Sequence, residues 1–310
     1  MDHIIPIKAA FDAYSNRGGV YIKAGDYSVT DILNPPRIIH LRNRHKDELP
    51  PQSVEELLKA FQGNAWHSFL ERQLRAASNK EEWRNKFLIE SKFWELVNER
   101  KISGKLDCYY VPDKALYDFK VTSTYKAVFG DFDDWETQLN CYAWFLGKCK
   151  FPVETIRIVC IHPDWKKFEM MRDHKYPREP IHEIQLKVWD KETQTRTVTE
   201  RITSLKDSEN LSDNDLPFCT DSDMWLKAPV YALWEPGKQR ASRVLATQEE
   251  MDKYIAHRAE KGKPVDPAHW IQVRLGERTR CDGYCQVSTF CNQYAEYCME
   301  QMAGGADEEM

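Results

Sequence analysis

The segment 102–120 constrains the fold of this chain more than any other stretch. Apolar and polar residues alternate on both sides of a turn signal at 112–113, which predicts a β-hairpin. In this register Asp107 lies directly across from Asp118, and directly opposed residues share a face with Cβ atoms roughly 4.5–5.5 Å apart. Lys120 lies two residues beyond Asp118 and shares that face. The hairpin is therefore expected to bring two carboxylates and one ammonium group together.

The opposite face of this hairpin is predicted to be the buried one. Apolar side chains at every second position are typical of a strand that packs one face on a core. The residues on this face are Leu106, Cys108, Tyr110, Tyr117, Phe119 and Val121.

The two carboxylates and the lysine favour one kind of chemistry. Neighbouring carboxylates repel each other unless a positive charge lies between them, and a divalent cation is the usual solution. A lysine beside such an ion can orient or deprotonate a water molecule and stabilise a phosphoryl oxygen. This combination is typical of metal-assisted phosphodiester hydrolysis. The alternative is a surface hairpin with ordinary Asp and Lys side chains, because Asp-x-Lys alone is a common sequence.

Length and composition limit the other possibilities. A chain of 310 residues can form one large domain with an appendage, or two domains. Its net charge of −5 does not indicate a nucleic-acid-binding surface, although enzymes that act on DNA often bind it in a local groove. The chain has no apolar run of about 18 residues and no signal-peptide pattern, so neither a membrane segment nor export is expected. In a reducing compartment, clustered cysteines indicate a metal more often than a disulfide.

Hydrophobic periodicity predicts both helices and strands. Helices are predicted at 53–77, 135–146 and 248–261. Strands are predicted at 87–121, 155–162, 181–189 and 195–202. The predicted elements describe a chain of the α/β class.

A change in composition divides the chain into three parts. Residues 207–223 contain six acidic residues and no Lys or Arg, which predicts an exposed linker. Residues 1–206, including an N-terminal extension, precede it. Residues 224–310 form a Cys-containing segment that is expected to pack on the core, and its acidic tail at 303–310 is expected to be disordered.

Two further pairs of residues accompany the hairpin. Gly63 and His67 lie four residues apart in the first predicted helix, where a lone histidine is usually a core or surface residue. Gln138 and Tyr142 are also four apart and so lie on one helix face. Glu90, just before the hairpin, is interpreted as a solvent-facing residue, with a further acidic ligand as the alternative.

Taken together, these residues form four motifs in a fixed order. They are Gly63-x3-His67, Gly104-x2-Asp107, Asp118-x-Lys120 and Gln138-x3-Tyr142. This order and spacing resembles the RecB-like branch of the PD-(D/E)xK nuclease superfamily, and the phage-type exonucleases of that branch most closely. The Asn-Pro-Pro-Arg sequence at 34–37 and the layout of 225–291 also fit. The resemblance spans roughly residues 28–165, and it implies a restriction-endonuclease-like core with a mixed central sheet flanked by helices.

The resemblance also implies a role for each motif. It implies that a metal ion is held by His67, Asp107, Asp118 and the backbone carbonyl of Phe119. Lys120 would position the attacking water or stabilise charge on the phosphate. Gln138 and Tyr142 would contact the DNA strand beside the scissile phosphate. Mg²⁺ or Mn²⁺ suits such ligands, and the imidazole favours Mn²⁺ somewhat.

The C-terminal cysteines form a second candidate site. Cys281-x3-Cys285-x5-Cys291 is close spacing, and relatives of this type often hold a 4Fe-4S cluster with such a triplet and one distant N-terminal cysteine. Asn34 stands about where that first cysteine would be, so Cys219 in the acidic segment is the candidate for the fourth thiolate. Four thiolates suit an iron–sulfur cluster or a structural Zn²⁺ equally well, and free thiols are the remaining alternative. Either metal is expected to hold the C-terminal segment against the core.

The function implied by the resemblance is that of a metal-dependent DNA nuclease. Relatives suggest an exonuclease on single-stranded or frayed DNA ends, acting in phage recombination, repair or DNA degradation in the cytoplasm of a bacterial host cell. A phage single-strand annealing or binding protein would be a second partner besides DNA. The alternatives are a structure-specific or nicking endonuclease and an inactive DNA-end-binding module. Loss of Asp118 or Lys120 would indicate the inactive module, and the sequence retains both.

Overall fold

The computed structural model describes residues 26–51, 54–274 and 276–305. Its helices are α1 (Val29–Ile32), α2 (Pro36–Arg44), α3 (Val54–Ala77), α4 (Thr124–Phe129), α5 (Asp133–Lys148), α6 (Lys167–Arg172), α7 (Lys191–Ser208), α8 (Gln248–Glu260), α9 (Thr279–Gly283) and α10 (Asn292–Gly305). Its strands are β1 (Asp26–Ser28), β2 (Phe87–Val97), β3 (Arg100–Tyr110), β4 (Ala115–Val121), β5 (Thr155–Ile161), β6 (Ile181–Leu186), β7 (Leu226–Lys227), β8 (Val230–Trp234), β9 (Arg243–Leu245), β10 (Trp270–Arg274) and β11 (Glu277–Arg278). None of the described helices has the length and apolar character that crossing a membrane requires.

The chain divides into two compact units. Among the described residues, the sheet unit comprises 26–39 and 50–211, and the C-terminal unit comprises 40–49 and 212–305. The division at 211–212 falls inside the acidic segment, and helix α7 continues into that segment as far as Ser208. The predicted linker, and the predicted packing of the C-terminal segment on the core, stay predictions. The N-terminal extension before residue 26 and the tail after residue 305 lie outside the described residues.

The sheet unit is built on a six-stranded mixed sheet. The strand order is β1-β3-β4-β5-β6, and β2 pairs with the other edge of β3. The β1–β3 and β4–β5 pairs are parallel, and the remaining pairs are antiparallel. This mixed sheet with helices packed on it confirms the predicted fold class.

One edge of β3 is shared by two short ladders. Strand β1 pairs with residues 101–103, and β4 pairs with residues 108–110. Residues 104–107 lie between these ladders, and Asp107 is the last of them. Neither β1 nor β4 pairs with residues 104–107. Side chains from neighbouring elements can therefore reach the backbone and the side chains of this part of β3.

The two long strands β2 and β3 are joined by a tight turn that the sequence analysis did not identify. Val97 pairs with Arg100, so the loop contains only Asn98 and Glu99, whose φ angles are +48° and +65°. Positive φ at both loop positions defines a type I′ turn, which matches the twist of a hairpin and favours Asn. The segment predicted as one β region therefore holds three strands.

The hairpin register is confirmed, but its burial differs from the prediction. Cys108 pairs with Tyr117 and Tyr110 with Ala115, which keeps Asp107 and Asp118 in register. Leu106 and Cys108 are buried as expected, yet Tyr109 and Leu116 on the other face are also almost fully buried, because both faces of this sheet are covered. The core continues into the apolar sides of α5 and α7 with Leu139, Phe145, Val198, Ile202 and Leu205.

The strand predicted at 195–202 is wrong, because these residues belong to helix α7. Val198, Ile202 and Leu205 are buried at a spacing of four and three residues, which is a helical period. Asp190 caps the helix by accepting a hydrogen bond from Thr193 N at 2.8 Å. The β-branched Thr and Val residues of this segment favoured a strand locally, and the cap together with the apolar face overrides that preference.

The C-terminal unit has two small sheets. Strands β10, β8 and β9 form an antiparallel sheet in that order, and helix α8 packs on it through Met251, with Leu233 and Val265 in the same core. Strands β7 and β11 pair separately, with Leu226 opposite Arg278. This second pairing brings the segment after Cys219 alongside the segment that leads to Cys281.

Candidate metal centre

The site forms where β3 and β4 separate. The ladder between these strands ends at Cys108 and Tyr117, one position before Asp107 and Asp118. In place of the next ladder hydrogen bond, Phe119 N donates to Asp107 Oδ2 at 2.8 Å. The N–H and C=O of one strand residue point to the same neighbouring strand, so the Phe119 carbonyl also faces the Asp107 side. A ligand between the two strands would therefore meet two carboxylates and one backbone carbonyl.

His67 reaches this site from the middle of helix α3. Its Nδ1 lies 3.4 Å from Asp107 Oδ1 and 3.8 Å from Glu90 Oε1, and its side chain is 32% exposed. Ligand atoms of His67, Glu90 and Asp107 all lie within 4.8 Å of one another. The neighbouring carboxylates, Asp107 above all, raise the pKa of His67. His67, a metal ligand in the sequence prediction, is thus part of the site and is not a residue of the hydrophobic core.

Glu90 is the residue that sequence analysis assigned to solvent and that the structure places in the site. Its side chain is only 7% exposed, and its φ of +48° turns it away from the regular pleat of β2. The β2–β3 register puts it opposite Asp107, since Ile89 pairs with Cys108 and Ser91 with Leu106. The sequence signal that could have located Glu90 is the turn at Asn98-Glu99, because this turn fixes the register of β2 against β3.

Asp118 and Lys120 stand next to each other on β4. Lys120 Nζ lies 2.9 Å from Asp118 Oδ2 and donates to Gln138 Oε1 at 3.0 Å. Asp118 is 5% exposed, and this burial raises its pKa while the charge of Lys120 opposes the rise. Helix α5 thus fixes the lysine through Gln138, on the side of the sheet where the carboxylates meet.

Tyr142 lies one helical turn beyond Gln138 and packs against Gly104. A Cβ on Gly104 would lie 2.8 Å from Tyr142 Cε1 and 2.9 Å from a methyl group of Val29, so only glycine fits there. Tyr142 is 7% exposed, and burial raises the pKa of its hydroxyl, which lies beside Gln138. The ring of Tyr142 is therefore part of the packing behind the site, and its predicted DNA contact stays a prediction.

The donor set fits a hard divalent cation. Glu90 Oε2 and Asp118 Oδ2 are buried and accept no hydrogen bond of ordinary geometry, and the ammonium groups of Lys105 and Lys120 respectively lie against them. Three carboxylates, two of them with such an oxygen, and one imidazole are ligands that Mg²⁺ and Mn²⁺ accept. His67, Glu90, Asp107 and Asp118 are the residues that could hold such an ion.

The other three predicted cysteines lie near Cys219 within the C-terminal unit. Burial raises the pKa of Cys219 to about 12, and the thiols of Cys291, Cys281 and Cys285 add to that rise. Burial raises the pKa of Cys281 to about 11, again with contributions from Cys285 and Cys291. None of the nine cysteines, each in the described part of the chain, forms a disulfide.

The backbone of Cys219 is fixed by one side chain of helix α10. Cys219 N donates to Gln293 Oε1 at 2.8 Å, and Gln293 Nε2 donates to Cys219 O at 2.9 Å. Asn34, in contrast, donates its side-chain amide to Thr30 O at 2.8 Å within the sheet unit. Four partly buried thiols near one another are the kind of ligands that an iron–sulfur cluster or Zn²⁺ takes.

Comparisons with known proteins give distant likenesses only. No family model matches the sequence, and no curated protein matches it. The crystal structure of the protein SSO0001 is similar over 66% of this chain and 86% of its own, at 18% identity and a TM-score of 0.43. A phage-related exonuclease from Haemophilus somnus 129PT is similar over 58% of this chain and 89% of its own, at 13% identity and a TM-score of 0.34. Identities and TM-scores this low say nothing about function.

Proposed function

We propose that this chain is a divalent-metal-dependent deoxyribonuclease. One observation supports this most strongly. His67, Glu90 and Asp107 bring ligand atoms within 4.8 Å of one another, and Asp118 and Lys120 complete the group on the next strand. Oxygen-rich metal ligands beside a positioned ammonium group are the parts that phosphodiester hydrolysis needs.

The carboxylates and His67 would hold Mg²⁺ or Mn²⁺, with the Phe119 carbonyl as a further ligand. Such an ion supplies Lewis acidity toward a phosphoryl oxygen and lowers the pKa of a bound water. The chain itself orients the carboxylate ligands. Phe119 N fixes Asp107 through its hydrogen bond, and the rigid sheet holds Asp118 in register with it.

Lys120 would provide the positive charge next to the scissile phosphate. Its ammonium group has one hydrogen-bond donor left after contacting Gln138 and Asp118, since an ammonium has three. It can therefore orient a water molecule or stabilise a phosphoryl oxygen in the transition state. Gln138, held next to Tyr142, would act as a positioning residue for Lys120 as well as a DNA contact.

The substrate we propose is single-stranded DNA or a frayed DNA end, cut by an exonuclease in the cytoplasm of a bacterial host cell. A phage single-strand annealing or binding protein is the proposed partner. Support for exonuclease action comes from the motif resemblance alone, and the motifs suit an endonuclease equally well. Circular single-stranded DNA separates the two, because an exonuclease needs an end and leaves the circle intact. Cutting of the circle would replace the exonuclease with an endonuclease.

The role of Lys120 is tested by separating binding from cleavage. In Lys120→Ala we expect DNA affinity within about twofold of wild type, with cleavage reduced by about 10²-fold or more, the loss typical of one electrostatic group. Lys101→Ala, an exposed lysine on β3 outside the site, is the matched control and should cleave normally. Wild-type cleavage by Lys120→Ala would refute the assignment.

We also propose that Cys219, Cys281, Cys285 and Cys291 hold a 4Fe-4S cluster, with structural Zn²⁺ as the alternative. Anaerobic purification followed by metal analysis and visible absorption distinguishes the two, because only the cluster absorbs visible light. Cys281→Ser should lose the metal bound by these four cysteines, whereas Cys149→Ser, an exposed cysteine outside the group, should keep it. Protein that contains neither iron nor zinc would contradict both.

A further inference from the structure

A second group of metal-ligand atoms lies on the sheet, next to the proposed nuclease centre. It consists of Cys160 on β5, His162 just after β5, and His182 on the edge strand β6. The thiol and one ring nitrogen of each histidine all lie within 4.8 Å of one another. Neither the motifs nor the proposed nuclease chemistry uses these residues.

The sheet register explains why they meet. Cys160 pairs directly with His182 across β5 and β6, and His162 follows on the same face two residues after Cys160. His162 N donates to Pro180 O at 2.8 Å, which continues the pairing beyond the end of β5. Two of the three ligand residues therefore stand on paired strands, and the third is held by a backbone hydrogen bond that extends this pairing.

The hydrogen bonds of His162 leave the lone pair of its Nε2 available to a metal. Its Nδ1 lies 2.9 Å from Thr122 O, and because a carbonyl only accepts, Nδ1 must carry the proton. Nε2 is then a lone-pair acceptor, and it lies 3.0 Å from Nδ1 of His182. A metal-bound histidine usually donates its other N–H to a carbonyl or carboxylate in this way, which fixes the ring.

We propose that Cys160, His162 and His182 bind a zinc ion, distinct from the ion of the carboxylate centre. One thiolate and two imidazoles are borderline-soft ligands that favour Zn²⁺ over the hard Mg²⁺. Tetrahedral zinc with N ligands at about 2.0–2.1 Å places two ligand nitrogens roughly 3.3 Å apart, close to the spacing of the two rings. His182 is only partly buried, so the fourth position can take a water molecule.

Binding would change the protonation of two groups and leave the third as it is. The Cys160 S–H proton leaves to solvent, and the thiolate bonds to zinc. The His182 proton moves from Nδ1 to Nε2 of the same ring, so that Nδ1 offers its lone pair. About one proton is therefore released for each zinc ion bound. The ion would join the end of β5 to the edge strand β6.

The test counts zinc in the full-length protein. Wild type, Cys160→Ala and His182→Ala are loaded with Zn²⁺ in the presence of excess Mg²⁺, freed of unbound metal by gel filtration, and analysed for zinc per chain. Cys141→Ala is the matched control, because Cys141 is also a buried thiol of the sheet unit but lies in the hydrophobic core. Any zinc at the C-terminal cysteines is common to all four proteins.

We expect Cys160→Ala and His182→Ala each to lose about one zinc per chain relative to wild type and Cys141→Ala. Cobalt in place of zinc should give a thiolate-to-metal charge-transfer band that weakens in Cys160→Ala and not in Cys141→Ala. If Cys160→Ala fails to fold, His182→Ala still decides, because His182 lies on an edge strand. Equal zinc content in wild type and His182→Ala would overturn the proposal.

Discussion

Glu90 gives the site its third carboxylate, and its backbone conformation explains why the side chain points into the site. A non-glycine residue with φ of +48° is uncommon in a strand, and here it directs a buried carboxylate toward His67 and Asp107. The alternation of β2 assigns Glu90 to solvent, so the local pattern could not reveal this. Only the pairing of β2 with β3 places it across from Asp107.

Glu90→Gln tests the role of that carboxylate. The variant keeps the shape of the side chain and removes its charge, so we expect Mn²⁺ affinity to fall by at least about tenfold with little change in stability. Manganese titration followed by electron paramagnetic resonance measures the affinity. Glu95→Gln, on the same strand but five residues away, is the control. Equal affinity in the two variants would exclude Glu90 as a ligand.

His45 gives the C-terminal unit a defined pH dependence. Its ring contacts Asp213 at 2.8 Å and Glu48 at 2.9 Å, and these carboxylates raise its pKa. A histidine whose pKa is higher in the folded state contributes stability at low pH and loses it as the pH rises through the folded pKa.

The expected result is a thermal midpoint that falls as the pH rises above about 6.5, the ordinary histidine pKa. His45→Gln should flatten this part of the profile, whereas His174→Gln, whose side chain is 84% exposed, should leave it unchanged. Calorimetry at several pH values provides the measurement. A profile of the same slope in His45→Gln would show that the ion pairs contribute nothing.

At the scale of elements, helix α5 is the part that ties the site to the core. It supplies Gln138 to Lys120, places Tyr142 over Gly104, and packs its apolar side on the sheet. Its helical period made it predictable from sequence. The strand β1, three residues long, and the divided edge of β3 were not predictable, because both depend on long-range pairing.

Two glycine substitutions should have opposite effects on stability. Gly104→Ala places a methyl group 2.8 Å from Tyr142 Cε1, so we expect a loss of about 1–3 kcal/mol. Gly63→Ala in helix α3 meets nothing within 4 Å and should gain about 1 kcal/mol from helix propensity. Urea denaturation measures both. If Gly104→Ala were as stable as wild type, helix α5 and the sheet would be able to move apart without loss of stability.

Asn140 connects helix α5 to the segment before α7. It is fully buried, donates to Lys187 O at 2.9 Å, and accepts from Trp189 N at 2.8 Å and Gln194 Nε2 at 3.2 Å. Asn140→Ala leaves these groups without their partner, so we expect a loss of about 1–3 kcal/mol in the free energy of unfolding. Thr137→Ala, one turn earlier on the same helix, is the control. Equal stability of the two variants would contradict the account.

At the scale of the whole molecule, the sequence allowed the four motifs and the C-terminal cysteines to be singled out as candidate sites. The structure places His67, Asp107, Asp118 and Lys120 close together, and it places the four cysteines near one another in the other unit. The motifs are short and local, which is why they are visible in a single sequence. The assignment of residues 40–49 to the C-terminal unit was not visible, because it depends on contacts far apart in the chain.

The most direct test of the nuclease proposal is cleavage of end-labelled linear single-stranded DNA with Mn²⁺ or Mg²⁺, by wild type and by Asp118→Asn. Asp118→Asn keeps the shape of a buried side chain and removes one metal-binding charge. We expect wild type to degrade the DNA only when a divalent metal is present, and Asp118→Asn to lose about 10²-fold or more of that activity. Absence of cleavage by wild type under either metal, or equal cleavage by Asp118→Asn, would contradict the proposed nuclease centre.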